Sequence, residues 1–380
     1  MSKSSDKKVF RLPAHSVAKI TLYRRYLLRY LNVLGNTQFE KIYLLDLFAG
    51  EGRDVDGKAC SSIAAIEVLK EHVDNSANWC KRVSVFFNDF GNSVIDKKIK
   101  KIDRVKKFTE EISLPKTYEV NYSSEDFGEI INKVITRLDR LKSSEKALCF
   151  LDPWGYKYSK PHVIREVMRN GNTEVLLFIP ICFMHRFAAK ALKDEDFIEG
   201  QHIESFITEL FENDIPDIKN QVLFIKGIQE RFRTYLKVKY VDVLYIEKDI
   251  NQYFALFFFS NSKRGFQKML EAKWSIDETD GKAFSVRSSS IKPTFFENVD
   301  HEDYTYLLFD EIKKKGSMTN QEVFDFGLNN NHLPKHSKKV LDELKKERKI
   351  KAIFEDGTIA AGYYIEDNHA KKAIIKLINL

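Results

Sequence analysis

The chain has 380 residues, 43% hydrophobic and 31% charged, a globular composition with room for one large domain and a small one. Its formal net charge of +7 permits a nucleic-acid partner without demanding one. Cys60, Cys80, Cys149 and Cys182 are widely separated with no Cys-x-x-Cys pair, so they read as free thiols of a reducing compartment, and no metal site is expected.

The N-terminal MSKSSDKKVFRL lacks the apolar centre of a signal peptide. The longest apolar run, 175–184, falls short of the ~20 residues a bilayer span needs. A cytoplasmic protein with no membrane contact is expected.

Residues 1–40 form an N-terminal helical segment. Within it Ile20, Tyr23, Tyr26, Leu27, Tyr30 and Leu31 recur at helical spacing over 16–34, with Arg24, Arg25 and Arg29 on the other side. The apolar run 42–47 closes in Asp46-Leu47-Phe48-Ala49-Gly50-Glu51-Gly52, the pattern of a buried parallel strand followed by a glycine-rich turn. A helix follows from 61 to 69, a strand over 83–88, a very basic helix over 93–108 and a weaker strand over 118–122. Then come a helix over 130–141 and strands over 147–152 and 175–181. Strands alternating with helices predict a doubly wound, Rossmann-like α/β sheet across 41–276. A helical insertion is expected over about 185–237, and strands 240–247 and 252–260, joined by a short connection, predict a final antiparallel hairpin. This is the usual ending of a class I methyltransferase sheet. A polar stretch, 277–300, reads as a linker. Beyond it, helices over 304–315, 320–328 and 334–348 precede strands 350–354 and 359–364 around Asp356-Gly357, which predicts a winged helix over 301–380.

Ligands of open α/β sheets bind outside the carboxyl ends of the strands. Asp46, Phe48, Gly50 and Gly52 stand there: glycines let the backbone approach a ligand, and an acid there can help hold an ammonium group. D-L-F-A-G-x-G after an apolar strand points to S-adenosylmethionine (SAM). The next strand ends Asn88-Asp89-Phe90. Asp89 is the candidate for the ribose hydroxyls and Phe90 for packing on adenine; Asn88 competes for the ribose, and Asp89 has a helix-capping alternative.

The strand 147–152 ends Asp152-Pro153-Trp154-Gly155-Tyr156. Enzymes that methylate exocyclic base amines carry an acid or amide, prolines and an aromatic residue here. Such an amine is a poor nucleophile because its lone pair is delocalised, and acceptors for both N–H bonds favour the pyramidal nitrogen. Asp152 and Pro153 would supply those acceptors, with Trp154 or Tyr156 stacking on an extruded base. Alternatively, Asp152 caps the strand end and Trp154 fills core.

These segments, YLLDLFAGEGRD, FFNDFGN, CFLDPWGYKYSKP and YFALFFFSNSKRGFQKMLEAKWSID among them, resemble the three-Cys-motif partner (TcmP) family over most of the chain. The resemblance implies a SAM-methyltransferase-like fold related to adenine-N6 methyltransferases of ribosomal RNA. It also implies a phage-associated protein partner, which carries the three cysteines. Two departures touch the presumed SAM pocket: Glu51 stands where proline is usual, and Cys60-Ser61-Ser62 where Gly-Ser-Pro is.

Two basic stretches bear on nucleic acid. Residues 97–107 carry seven lysines and arginines against Asp103, with Lys97, Lys101 and Arg104 as candidate contacts. Residues 334–351 carry eight against Asp342, Glu343 and Glu347, with Lys335, Lys338 and Lys339 on the helix that would enter a groove. Each reads equally as a solvated helix face, and a winged helix also serves in protein docking. The expectation is a SAM-dependent N-methyltransferase acting on DNA or RNA at an adenine amine. Its rival is a non-catalytic nucleic-acid- or partner-binding module, phage- or defence-associated, on a degenerate fold.

Overall fold

The computed structural model describes residues 10–76, 79, 81–194, 196–212, 214, 218, 221–249, 252–277, 283–285 and 304–378. The chain divides into two units, residues 1–295 and 296–380.

In the first unit, α1 (Ala14–Gly35) is followed by β1 (Lys41–Asp46), α2 (Ser61–Asn75), β2 (Arg82–Asn88), α3 (Lys101–Glu110) and β3 (Tyr118–Ser123). Next come α4 (Phe127–Leu138), β4 (Glu145–Leu151), α5 (Pro161–Met168) and β5 (Thr173–Ile179). The inserted helices α6 (Ile181–Ala191), α7 (Gln201–Phe211) and α8 (Gln221–Leu236) then lead to β6 (Tyr240–Asp249), β7 (Gln252–Ser260), α9 (Lys263–Trp274) and β8 (Ala283–Ser285). The sheet order is β3-β2-β1-β4-β5-β7-β6-β8. β1 to β5 run parallel, and β7 is antiparallel to both β5 and β6. This is the Rossmann-like sheet with a closing antiparallel hairpin and helical insertion that the alternation of patterns predicted.

Strand period 2 assigns the faces. Tyr43 and Leu45 join one core with α4, α5 and the inserted helices. On the opposite face α1 packs against α2 and α9. There Tyr23 stacks on Phe150 at 4.6 Å, and the Tyr26 hydroxyl donates to buried Glu174.

The second unit holds α10 (Tyr304–Lys315), β9 (Ser317–Thr319), α11 (Asn320–Asn329), α12 (Pro334–Lys346), β10 (Ile350–Phe354) and β11 (Ala373–Leu377). Its sheet runs β10-β11-β9, antiparallel throughout. Three helices on this small sheet make the winged helix.

Three expectations need correction. The basic helix of 93–108 begins only at Lys101, because the Ser93 hydroxyl accepts the N–H groups of Ile95 and Asp96 at 3.0 Å each and so stabilises a turn instead. Most of the expected linker 277–300 lies outside the described residues, but 283–285 within it form β8, parallel to β6. In the wing, the turn at Asp356-Gly357 forms, with Phe354 N–H donating to the Thr358 carbonyl at 2.8 Å. The partner of β10 is nonetheless β11, not 359–364. Residues 359–364 leave the ladder after one bridge at Ile359, and the Tyr363 hydroxyl donates to the Leu341 carbonyl of α12 at 3.0 Å. No described helix is long and apolar enough to cross a membrane.

One buried ion pair fastens α9 to the hairpin. Lys273 Nζ donates to Asp242 Oδ1 at 2.6 Å and to the Val243 carbonyl at 2.8 Å, with both side chains almost wholly buried. Removing the lysine strands a carboxylate in the core, so Lys273→Met should lose about 3–5 kcal/mol in chemical denaturation. Neutralising Asp242 as well, in Lys273→Met/Asp242→Leu, should restore most of that loss.

Candidate active site

The strand order reverses direction between β1 and β4, which opens a crevice beyond their carboxyl ends. β1 ends in Asp46, which is buried. Its Oδ1 accepts the Phe48 N–H at 3.1 Å and its Oδ2 the Ser61 hydroxyl at 2.6 Å. Burial pushes its carboxyl up to about 7 against both hydrogen bonds. Asp46 thus ties the start of the β1–α2 loop to the start of α2, and it does not line the cavity described below.

Gly50 and Gly52 adopt φ of 68° and 75°, the left-handed region that side chains avoid. Their tasks differ. Gly50 lines the cavity, whereas a Cβ on Gly52 would meet Phe108 at 3.0 Å and the Val105 Cα at 3.3 Å, so Gly52 lets α3 approach the loop. Between them Glu51 points inward. Its carboxylate accepts the Ser93 hydroxyl at 2.6 Å and the Val94 N–H at 2.7 Å, and pairs with Arg104 at 3.1 Å. Ser62 in turn donates to the Ala49 carbonyl at 2.8 Å. Glu51 and Ser62 thus bind this loop to its neighbours.

Asp89, just beyond β2, accepts the Gly50 N–H at 2.8 Å on one oxygen and pairs with Lys101 at 3.1 Å on the other. Burial raises its carboxyl, opposed by Lys101. It caps no helix; α3 begins after Lys100. Asn88 spends its amide on the Glu125 backbone, accepting its N–H at 3.0 Å and donating to its carbonyl at 3.1 Å. Of the two ribose candidates, Asp89 is the one at the cavity wall. Phe90 is 65% exposed and is not part of that wall.

β4 ends just before Asp152. Pro153 is buried and Trp154 is 88% exposed at the cavity lip. Tyr156 is a correction: its ring is buried in the core and its hydroxyl donates to the Pro180 carbonyl at 2.6 Å, so it is not placed to stack on a base. Asp152 is not left to water either. Lys19 of α1 forms an ion pair with its Oδ2, and the Lys19 ammonium lies 4.1 Å from the centroid of Phe178. Nearby, His15 stacks on Phe254 at 4.6 Å, and burial lowers its imidazole to about 4, which keeps it neutral at pH 7.

A cavity of about 310 Å³ joins these parts. Phe48, Gly50, Asp89, Asp152 and Trp154 line it together with Lys19, His15 and Lys101. Lys19 was missed from sequence, yet a signal existed. It stands three and four residues before Leu22 and Tyr23, inside the apolar stripe rather than among the arginines of the outer face.

The two basic stretches fare differently. Lys97 is exposed, but Lys101 and Arg104 are drawn into the pairs with Asp89 and Glu51 and serve the loop. On α12, Ser337, Val340, Leu341 and Leu344 face the core, and Lys335, Lys338 and Lys339 are exposed. Asp342 sits among them and pairs with Lys338 at 2.7 Å. Of the free-thiol candidates, Cys60 and Cys149 are buried and Cys182 is half-buried, and none of these three is in a disulfide; Cys80 lies outside the described residues.

A family model for the GMT-like wHTH domain matches residues 283–357. It begins at β8 of the first unit and ends in the wing before β11, so it covers the helices α10 to α12 and β10. Comparison with curated proteins gives no match.

Because the carboxyl of Asp46 is raised on folding, its contribution to stability is full below about pH 3.8 and is lost as the pH rises to about 7. Thermal melts across that window should show this slope in the native chain and its absence in Asp46→Asn. Glu51→Ala leaves Arg104 without its partner carboxylate. Hydrogen exchange should speed up over residues 93–100 while the strands stay protected.

Proposed function

We propose that the first unit is a SAM-dependent N-methyltransferase acting on nucleic acid, with the exocyclic amine of adenine as acceptor, and that the second unit binds the nucleic acid. The observation that carries this reading is that one cavity gathers Gly50, Asp89, Asp152 and Trp154, which are far apart in sequence. The volume of about 310 Å³ is at the lower end for small-molecule sites. The open face of Gly50 suits close backbone approach of a ligand. Bound there, SAM would supply an activated methyl group on its sulfonium. Asp89 would then hold the ribose hydroxyls. Asp152 and the Pro153 region would accept the amino hydrogens, and Trp154 would stack on the base.

Nucleic-acid binding by the second unit draws support from the GMT-like wHTH match and from the lysines of α12. The resemblance to the TcmP family adds a three-Cys-motif protein as a proposed partner. A second reading, a binding module without catalysis, is favoured by one observation: Asp89 and Asp152 are already engaged by Lys101 and Lys19.

Calorimetric titration with SAM separates the two. The first reading expects saturable binding that Asp89→Ala weakens by at least about tenfold, the worth of one good polar contact. It also expects that Asp152→Ala retains SAM binding while radiolabel transfer to DNA or RNA oligonucleotides falls by about a hundredfold or more. No binding at millimolar SAM would leave the module reading standing.

For the second unit, replacing Lys335, Lys338 and Lys339 together by alanine should weaken binding across sequences alike. The slope of log K against log salt should fall by up to about 3.

A further inference from the structure

The contact that the methyltransferase motif does not anticipate is the one between Lys19 and Asp152. Lys19 enters from α1 with its side chain only 6% exposed, whereas Asp152 is 26% exposed at the cavity wall. An ammonium so buried is stable only where opposite charge and polarisable groups replace its water. Here the Asp152 carboxylate and the face of Phe178 do so. The pair occupies Oδ2, and among the described residues Oδ1 takes no hydrogen bond. One carboxylate oxygen is held, and the other is left for a donor in the cavity.

Resting on the methyltransferase reading, we propose that Lys19 is a positioning residue that turns Asp152 into an electrically neutral acceptor. The physical reason is the donor's charge. A methyl group on a sulfonium is transferred from a cation, and an uncompensated carboxylate beside that cation would stabilise it before transfer and so deepen the ground state. Acceptance of an amino hydrogen needs only a lone pair. Lys19 cancels the carboxylate's field, fixes its orientation through Oδ2 and leaves Oδ1 to accept. The lysine–aspartate pair thereby does the work of a single neutral side-chain carbonyl. A lysine that merely filled space under α1 would carry no such electrostatic consequence for the ligand.

Charge is the property to read, and two ligands differ in it at one atom. SAM carries the sulfonium, whereas S-adenosylhomocysteine has a neutral thioether at the same place. The ratio of their affinities for the full chain, measured by calorimetry, reports the potential at the sulfur and is insensitive to damage that affects both alike. Lys19→Met should shift the ratio toward SAM by about tenfold, the scale of one unscreened charge in a partly buried site. Asp152→Asn, which leaves the ammonium alone, should shift it the opposite way. The double variant Lys19→Met/Asp152→Asn should return it near the native value. Ratios that stay put, or that move in one direction in both single variants, overturn the proposal even though SAM binds. Failure of the native chain to bind either ligand overturns the methyltransferase reading and this inference with it. Should Lys19→Met not fold, Asp152→Asn and the double variant still decide the matter by their relative shift.

Discussion

Four carboxylates converge at the carboxyl edge of the parallel sheet, and the need to satisfy each of them in a half-dry crevice organises the first unit. Asp46, Glu51 and Asp89 are buried and Asp152 is partly so. Water cannot solvate such groups in full, and a buried charge without a partner costs several kcal/mol. Each is met by side chains from elsewhere in the chain. Ser61 of α2 serves Asp46, Ser93 and Arg104 serve Glu51, Lys101 of α3 serves Asp89, and Lys19 of α1 serves Asp152. The same set of bonds therefore shapes the cavity and fastens three helices to the sheet. A change at one carboxylate acts on the pocket and on packing together, because the same bonds serve both.

This arrangement divides the electrostatic labour between the two units. In the first, lysines and an arginine are spent on internal pairs, so a chain with net charge +7 presents a wall of compensated charges at its cavity. In the second, α12 keeps its lysines on an exposed face, tempered by Asp342. Counting basic residues along the sequence treats the stretches at 97–107 and 334–351 as equals. The fold separates them, because Lys101 and Arg104 lie within reach of acids 12 and 53 positions away, while α12 has its core on the opposite face.

Much of the fold was legible because it rests on period. Buried parallel strands announce themselves as apolar runs, and α10 starts and stops at the residues the pattern gives, Tyr304 and Lys315. What escaped depends on contacts distant in sequence. The basic run 93–100 has helical spacing, but Glu51 takes the Ser93 hydroxyl and the Val94 N–H, and that long-range demand outweighs local propensity. In the wing, the Asp356-Gly357 turn was legible, while the strand that follows it was not. Tyr363 is pulled onto α12 and the ladder is completed by β11. The glycine-rich loop and the Asp152 motif were visible as chemistry. The pairing of Lys19 with Asp152, across 133 positions, has no local trace beyond a lysine in an apolar stripe.

The loop between β1 and α2 shows how such long-range demands fix a backbone. Proline at the place of Glu51 would rigidify the turn through its fixed φ, and would make no bond to anything outside it. Glutamate forgoes that rigidity and recovers it through Ser93, Val94 and Arg104, at the cost of burying a charge that needs all three. Serine at 62 acts similarly, holding the loop through the Ala49 carbonyl. The loop is thereby fixed by its surroundings rather than by its own backbone. Its geometry becomes coupled to α3, and α3 carries Lys101, which meets Asp89 across the cavity wall. Glu51 is thereby the anchor for the helix that completes the pocket.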